Sequence, residues 1–168
     1  MLKKKILLGV TGSIAAYKTA DLIRQLRQND YFVQVIMTKS AKEFITPLTL
    51  QALSGNPVLE NMWDSSEGNG MAHINLSRTA DLILIAPSSA NFIAKLAHGN
   101  ADDLLSNLCL ARKCPLLVAP AMNVEMYDNH ATQRNINTIK KDGILISGPE
   151  SGEHACGDHG MGLSLIHI

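Results

Sequence analysis

The sequence predicts an α/β fold in which a doubly wound parallel sheet carries helices on both faces. Apolar runs with strand character alternate along the chain with segments of helical period. Some of these runs, such as residues 82–85, are apolar on both faces, as strands of a covered parallel sheet are. The segments that follow the runs are rich in small and polar residues, as at the ligand-binding edge of such sheets.

Five strands are expected, and helices separate most of them. Their predicted ranges are 5–10, 32–38, 82–86, 116–119 and 144–147. This order of elements is that of a Rossmann or flavodoxin-like domain. Because such domains bind ligands beyond the carboxyl ends of their strands, the segments directly after each strand are the candidates for function.

Composition and charge exclude several classes of protein. The 168 residues are 46% apolar, and 15 Lys and Arg balance 15 Asp and Glu, so we expect neither nucleic acid nor a membrane as a partner. The first apolar run, residues 6–10, is too short for a signal sequence or a membrane span. Cys109, Cys114 and Cys156 fit free thiols in a reducing compartment, so we expect a cytoplasmic protein.

The first two predicted turns could bind a phosphate. Gly12 allows a tight turn, and Ser13 can cap the helix that begins there, where free backbone N–H groups favour an anion. The third glycine of the dinucleotide pattern is missing, so a mononucleotide fits better. Thr38 and Ser40, after the second strand, could donate hydroxyls to the same phosphate. Ordinary turns with hydroxyl caps are the open alternative for both segments.

A Pro-Ser-Ser-Ala-Asn motif at 87–91 follows the most apolar strand. Ser88, Ser89 and Asn91 present small donors and acceptors there, which suits a flat ring that approaches the backbone. A single serine cap at the start of the next helix would explain most of the pattern. Two hydroxyls and an amide exceed what a cap requires.

A second motif, Pro-Ala-Met-Asn-Val-Glu-Met at 120–126, follows the fourth strand. Asn123 could bind a carboxylate or a ring edge through its amide, and Met122 and Met126 could supply adaptable apolar contacts. Taken singly, the methionines fit core positions and Asn123 fits a helix cap. The motif therefore supports a site only together with the others.

Two candidate reactive side chains lie elsewhere. His73 stands at an element boundary before a short apolar–polar alternation at 74–76. Histidine suits a general base, although a lone histidine in a loop is usually only solvated.

The glycine-rich segment 152–162 predicts a mobile flap that carries the accessible thiol of Cys156. Its cluster of possible ligands suggests a metal site, but no second cluster completes a tetrahedral shell, so no metal is expected. The cluster consists of His154, Cys156, Asp158 and His159.

Together these segments resemble the homo-oligomeric flavin-containing cysteine decarboxylases. Within that family, the similarity is to the phosphopantothenoylcysteine decarboxylase domain of bacterial bifunctional coenzyme A enzymes. It runs from about Lys4 to Gly162. The segments that carry it are 12–18, 73–74, 87–91, 101–106, 120–123 and 155–158.

The resemblance implies FMN as the cofactor, with its phosphate near the first two turns and its ring near the motif at 87–91. It implies His73 as the base of an oxidation step, Asn123 on the substrate carboxylate and Cys156 as the thiol of the reductive half. Ala121 and Met122 are implied beside Asn123 at the substrate. The implied cofactor-binding residues are Gly12, Ser13, Ile14, Thr38, Ser40, Ser88, Ser89, Ala90 and Asn91.

The implied reaction converts 4'-phosphopantothenoylcysteine into 4'-phosphopantetheine and CO2, as a carboxy-lyase of coenzyme A synthesis. A cysteine-derived carboxylate has no electron sink of its own. Oxidation of its CH2–SH group to a thioaldehyde, with FMN as the oxidant, creates one, and loss of CO2 then leaves an ene-thiolate. Return of hydride gives the saturated product, so the reaction has no net redox change.

The resemblance also implies an oligomeric state, and the chain differs from the family pattern at some positions. The family forms trimers that group into a dodecamer, with FMN at subunit interfaces. This chain has Ser88 where the family usually has alanine, and Thr79 where it often has tryptophan. We expect one domain over residues 1–162. Residues 163–168 resemble a translated sequencing adapter, so we expect a non-native tail and a missing synthetase domain after it.

Three relatives with other functions are alternatives. A peptidyl-cysteine decarboxylase would release an ene-thiol product, which needs no reduction, so Cys156 argues against it. A prenylated-flavin synthase fits the motif at 120–123 and the predicted flap poorly. A non-catalytic flavin-binding regulatory subunit is disfavoured by the joint presence of His73, Asn123 and Cys156.

Overall fold

A computed structural model describes residues 3–62, 72–153 and 159–163. Five parallel strands form one sheet in the order β2-β1-β3-β4-β5. The predicted doubly wound fold is confirmed, and so are its five strands, with small shifts of their ends. The strands are β1 (Lys5–Val10), β2 (Phe32–Met37), β3 (Leu82–Ser88), β4 (Leu116–Pro120) and β5 (Leu145–Ile146).

Helices pack on both faces of the sheet. Helices α1 and α2 pack against one core cluster, and α4, α5 and α7 pack against the other. The alternation at 74–76 belongs to a helix, α3, that packs against α5. The helices are α1 (Thr19–Gln28), α2 (Pro47–Ser54), α3 (Ala72–Thr79), α4 (Ala90–His98), α5 (Leu104–Ala111), α6 (Val124–Asp128) and α7 (His130–Lys141).

Three smaller features complete the fold. Short 3-10 helices, Ile14–Lys18 and Lys39–Glu43, follow β1 and β2. The glycine-rich segment contributes a two-stranded antiparallel hairpin of β6 (Glu150–Glu153) and β7 (His159–Leu163), which the sequence did not predict. Leu163, assigned above to the tail, is the last residue of β7 and pairs with Glu150. Within the described part of the chain, no helix is long and apolar enough to cross a membrane.

Helix ends follow local sequence signals. Helix α2 begins after the cap Thr46 with Pro47 in its first turn, and it ends at Gly55, whose φ of 75° is left-handed. Helix α4 ends in the same way at Gly99, with φ 68°. These signals fix the lengths of the connections between sheet and helices.

One cross-strand row shows how unevenly the two faces are covered. Val35, Leu8, Leu84, Leu117 and Leu145 are register partners across all five strands. The first three are buried beneath α1 and α2, the fourth is half-buried and the last is 56% exposed. A groove of about 710 Å³ lies between α1 and strands β1, β3 and β4, and Leu117 is one of its lining residues. The apolar face over β4 and β5 is therefore open to solvent in the single chain.

The two described cysteines differ in accessibility. Burial raises the pKa of the Cys109 thiol to about 12, and the side chain is 1% exposed. Cys114 is half-buried, and burial raises its pKa as well. Because the thiolate is the reactive species, both are depleted of it below their raised pKa values.

We expect iodoacetamide at mildly alkaline pH to alkylate Cys109 of the native protein at least about tenfold more slowly than Cys114. Peptide mass spectrometry over time measures both rates. In concentrated guanidinium chloride the two rates should become similar. Equal rates in the native protein would contradict the buried position of Cys109.

Candidate functional site

A threonine hydroxyl joins the carboxyl ends of β1 and β3. The Thr11 hydroxyl donates to the carbonyl of Pro87 at 2.8 Å and accepts from the backbone N–H of Ser89 at 2.8 Å. The Thr11 N–H also donates to the Pro87 carbonyl, at 3.3 Å. Thr11 is buried, so water does not compete for these bonds. The loops after β1 and β3 therefore have a fixed mutual position.

Gly12 brings the loop after β1 against the loop after β2. A Cβ atom at Gly12 would lie 2.7 Å from both Cβ and Oγ of Ser40. Such a distance is a steric clash, so a side chain at this position would push the two loops apart. Close approach explains the glycine here, because its φ is not in the left-handed region.

These loops enclose one cavity of about 490 Å³ at the carboxyl edge of the sheet. That volume is within the range of small-molecule and cofactor sites. Hydroxyl, amide and charged groups line it, together with Phe92. The lining residues are Thr11, Thr38, Lys39, Ser40, Glu43, Ser89, Asn91, Phe92, Lys95, Asp102 and Asp103.

The structure brings together four of the residues predicted to bind a cofactor, namely Thr38, Ser40, Ser89 and Asn91, and it places Gly12 against Ser40. The other predicted residues do not line this cavity within the described part of the chain. Of these, Ile14 is 60% exposed, and Ser88 is buried. The residues outside the lining are Ser13, Ile14, Ser88 and Ala90.

Four predicted ligand side chains also cap helices. Each oxygen accepts a hydrogen bond from a backbone N–H: Ser13 from Ala15, Thr38 from Ala41, Ser89 from Phe92 and Asn123 from Met126. The capping interpretation of these positions is confirmed. It is compatible with ligand binding at Ser13, Ser89 and Asn123, because a capping oxygen only accepts, so the hydroxyl hydrogen or amide NH2 group can still donate. The Thr38 hydroxyl also lies 3.5 Å from the Val10 carbonyl and 3.2 Å from Ser40 Oγ, so a ligand would compete with these groups for its hydrogen.

Ser88 has an unusual environment. Its Oγ is buried and has no hydrogen-bond partner among the described residues. Its backbone carbonyl accepts from the N–H of Ala121 at 3.0 Å, which places the motifs at 87–91 and 120–126 side by side. An unpaired buried hydroxyl is a local cost to the folded state.

The motif after β4 divides between core and surface. Ala121 is buried, Met122 packs against the core and Met126 is 50% exposed. The core interpretation is therefore confirmed for Met122 only. Asn123 begins α6, and α6 packs against β7 of the hairpin. Strand β7, which pairs with β6, therefore contacts the helix that Asn123 caps.

Two predicted catalytic side chains lie outside the described part of the chain. The backbone of His73 is in the first turn of α3, but its side chain is not described. Cys156 falls in the undescribed segment 154–158, as do His154 and Asp158 of the discarded metal cluster.

The sequence did not predict the charged part of the cavity wall. Lys95 Nζ lies 2.8 Å from Asp102 Oδ1 and 2.7 Å from Asp103 Oδ2. Burial alone lowers the pKa of Lys95, but hydrogen bonds to the two carboxylates outweigh it and raise that pKa overall. The bond from Lys95 lowers the pKa of Asp102. One signal for Lys95 was present in the sequence. It lies four residues after Asn91 on the predicted helix, so the two side chains share one helix face.

Comparison with known proteins gives the family. A family model described as Flavoprotein matches residues 1–164. The chain belongs to the flavoprotein family. The predicted resemblance is thereby confirmed.

Relatives agree with this assignment. The coenzyme A biosynthesis bifunctional protein CoaBC of Vibrio vulnificus is 55% identical over 162 residues, which are 96% of this chain and 40% of that protein. The chain thus spans about 40% of the length of such bifunctional relatives. A probable phosphopantothenoylcysteine decarboxylase of Streptococcus mutans is 52% identical over 161 residues, covering 95% of this chain and 90% of that protein.

Solved structures support the same fold. A cysteine-to-serine mutant of PPC decarboxylase complexed with pantothenoylaminoethenethiol has a TM-score of 0.85 and 34% identity, covering 97% of this chain and 91% of that one. The FMN-dependent cysteine decarboxylase SpaF has a TM-score of 0.84 and 34% identity, covering 95% and 89%.

We expect Thr11→Val to lower the free energy of unfolding by about 2–3 kcal/mol, because it leaves the Ser89 N–H without its acceptor inside the protein. Urea denaturation followed by circular dichroism measures the change. Thr11→Ser is the matched control, since it keeps the hydroxyl, and should lose much less. A loss in Thr11→Ser as large as or larger than that in Thr11→Val would contradict the leading role of the hydroxyl, because Thr11→Val keeps the methyl group and Thr11→Ser does not.

Substitution of the two neighbouring serines should have opposite effects. Ser88→Ala removes an unpaired buried hydroxyl and should raise the free energy of unfolding by about 1 kcal/mol. Ser89→Ala removes the cap of α4 and should lower it by about 1 kcal/mol. Both are measured by the same denaturation without flavin. A loss of stability in Ser88→Ala would mean that its hydroxyl has a partner in solution.

Proposed function

We propose that this chain is an FMN-dependent decarboxylase that converts 4'-phosphopantothenoylcysteine into 4'-phosphopantetheine and CO2. The observation that carries the proposal is the cavity of about 490 Å³ that is lined by residues from the loops after β1, β2 and β3. The similarity of the chain to the probable phosphopantothenoylcysteine decarboxylase of Streptococcus mutans, 52% identical over 90% of that protein, supports the choice of substrate. Any further activity of the longer bifunctional relatives is outside this proposal.

The residues present fit FMN. The contact of Gly12 with Ser40 leaves two loops close enough to hold one phosphate, and the Ser40 and Thr38 hydroxyls with the Lys39 ammonium group supply donors beside it. Ser89 and Asn91 at the start of α4 would hold the ring system. The absence of a third glycine in the first turn favours this mononucleotide over a dinucleotide.

When bound, FMN supplies the two-electron acceptor for the CH2–SH group of the substrate and later returns those electrons as hydride. We assign to His73 the removal of the thiol proton during the oxidation. The resulting C=S group accepts the electron pair that CO2 leaves behind. We assign to Cys156 the proton transfer that accompanies reduction of the ene-thiolate to the saturated thiol.

Asn123 is assigned to the substrate carboxylate. Its Oδ1 accepts from the N–H of Met126 at 3.0 Å, which fixes the orientation of the amide. The NH2 group of the same amide is then the part that can donate to an anion. Ala121 and Met122 precede it in the same loop and form the adjoining wall of the substrate site in this proposal.

We further propose that the protein assembles into trimers, grouped into a dodecamer, with FMN at contacts between copies. The open apolar face over β4 and β5, which includes Leu117 and Leu145, supports self-association. Ile14, Tyr17 and Phe44 are exposed apolar side chains in the segments after β1 and β2, beside the loops that line the cavity. A cytoplasmic location is part of the same proposal.

The test is turnover by the purified protein. With FMN and 4'-phosphopantothenoylcysteine, we expect the mass of 4'-phosphopantetheine to appear together with one CO2 for each substrate consumed. A peptide that ends in cysteine is the competing substrate. Decarboxylation of the peptide alone would replace the proposed substrate, and bound flavin without turnover of either compound would favour a regulatory subunit.

Two variants separate the two halves of the reaction. His73→Asn should bind FMN but abolish bleaching of flavin absorbance by substrate, because the thiol proton has no acceptor. Cys156→Ser should bind FMN and still release CO2, while the saturated product falls at least about tenfold. Stopped-flow absorbance and product mass measure these effects. Normal bleaching in the first variant, or an unchanged product yield in the second, would contradict the assigned role.

A charge on the open face should dissociate the assembly. Leu145→Glu places a carboxylate in an apolar contact, so we expect the mass measured by light scattering to fall toward that of the single chain. Leu110→Glu is the matched control, because Leu110 is 61% exposed on α5, a helix that packs against the other core cluster. Dissociation by Leu110→Glu alone would place the contact elsewhere.

A further inference from the structure

The wall of the cavity between α4 and α5 carries more acid than base. Asp102 and Asp103 precede α5, and Lys95 on α4 bonds to both carboxylates. Lys39 and Glu43, in the segment after β2, also line the cavity. The lining therefore holds two ammonium groups against three carboxylates, and without Lys95 it would hold one against three.

Helix geometry accounts for one of these carboxylates. Asp103 caps α5: its Oδ1 accepts from the N–H of Ser106 at 2.7 Å, and Ser106 Oγ accepts from the N–H of Asp103 at 3.1 Å. Asn107 donates to the carbonyls of Ala101 and Asp103 and so fixes the loop itself. A negative charge at this place is thus a consequence of how α5 begins.

A carboxylate on this wall opposes the proposed ligands. FMN carries a phosphate, and the proposed substrate carries a phosphate and a carboxylate. Side chains of Asp102 and Asp103 are 65% and 30% exposed, whereas that of Lys95 is 18% exposed. Lys95 is thus the less exposed partner and is held by two bonds, which suits a permanent counterion for the wall.

We propose that Lys95 is a positioning residue whose charge compensates Asp102 and Asp103 and so makes the cavity accept anionic ligands. The inference rests on the proposed function, because it takes FMN as the ligand. It assigns to Lys95 a role beyond linking α4 to α5. The role is electrostatic, so it acts on the phosphate of the ligand and much less on an uncharged ring.

The test compares two flavins that share a ring and differ in charge. Fluorescence titration gives the dissociation constants of FMN and of uncharged riboflavin for the wild type and for Lys95→Met. We expect Lys95→Met to weaken FMN binding about tenfold and riboflavin binding less than about twofold. The loss for FMN should shrink in concentrated salt, which screens charges.

Three further variants separate charge from structure. Lys95→Arg keeps the charge and should retain FMN binding. Adding Asp102→Asn and Asp103→Asn to Lys95→Met removes the uncompensated acid while asparagine still caps α5, so FMN binding should recover. Lys3→Met is the matched control: it also removes one cation, from an exposed pair with Asp30, and should leave both dissociation constants unchanged.

Several results would overturn the inference. Equal weakening of FMN and riboflavin by Lys95→Met, insensitive to salt and not recovered in the triple variant, would make Lys95 a link between helices only. Unchanged FMN binding in Lys95→Met would remove any role in binding. A wild type that binds neither flavin would overturn the proposed function and this inference together.

Discussion

The buried hydroxyl of Thr11 is the interaction on which the ligand edge of this sheet depends. It accepts from the start of α4 and donates to the end of β3, so two loops that could move independently become one surface. Gly12, the next residue, then lets the loop after β2 close against the same surface. Three strands thus contribute to one cavity through two adjacent residues of the chain.

The parallel sheet could be predicted because its strands are short apolar runs that alternate with segments of helical period, a pattern typical of a sheet covered on both faces. The hairpin of β6 and β7 could not, since its glycine-rich sequence carries little strand preference and its pairing depends on contacts such as that with α6. Strand β3 extends past the predicted end because, after a register shift, Ser88 pairs with Pro120 of β4, a contact that depends on the neighbouring strand.

The candidate site also contains residues that could be predicted from the sequence and residues that could not. Thr38, Ser40, Ser89 and Asn91 were predictable, because they directly follow strands whose carboxyl ends meet at one edge. Lys95 and its two aspartates were not, because their contact joins separate elements and becomes visible only when α4 and α5 are packed. Sequence spacing shows where a strand ends, whereas the distance between two side chains depends on the whole fold.

The caps of this edge have a wider consequence. Ser13, Thr38, Ser89 and Asn123 each use one oxygen to start a helix. In the proposed function, Ser89 and Asn123 offer the remaining donor of the same side chain to a ligand. Under that proposal, folding and recognition draw on the same side chains. An engineer who wished to change the ligand preference here would first have to supply new helix starts, and random substitution would tend to lose the fold before it found a new specificity.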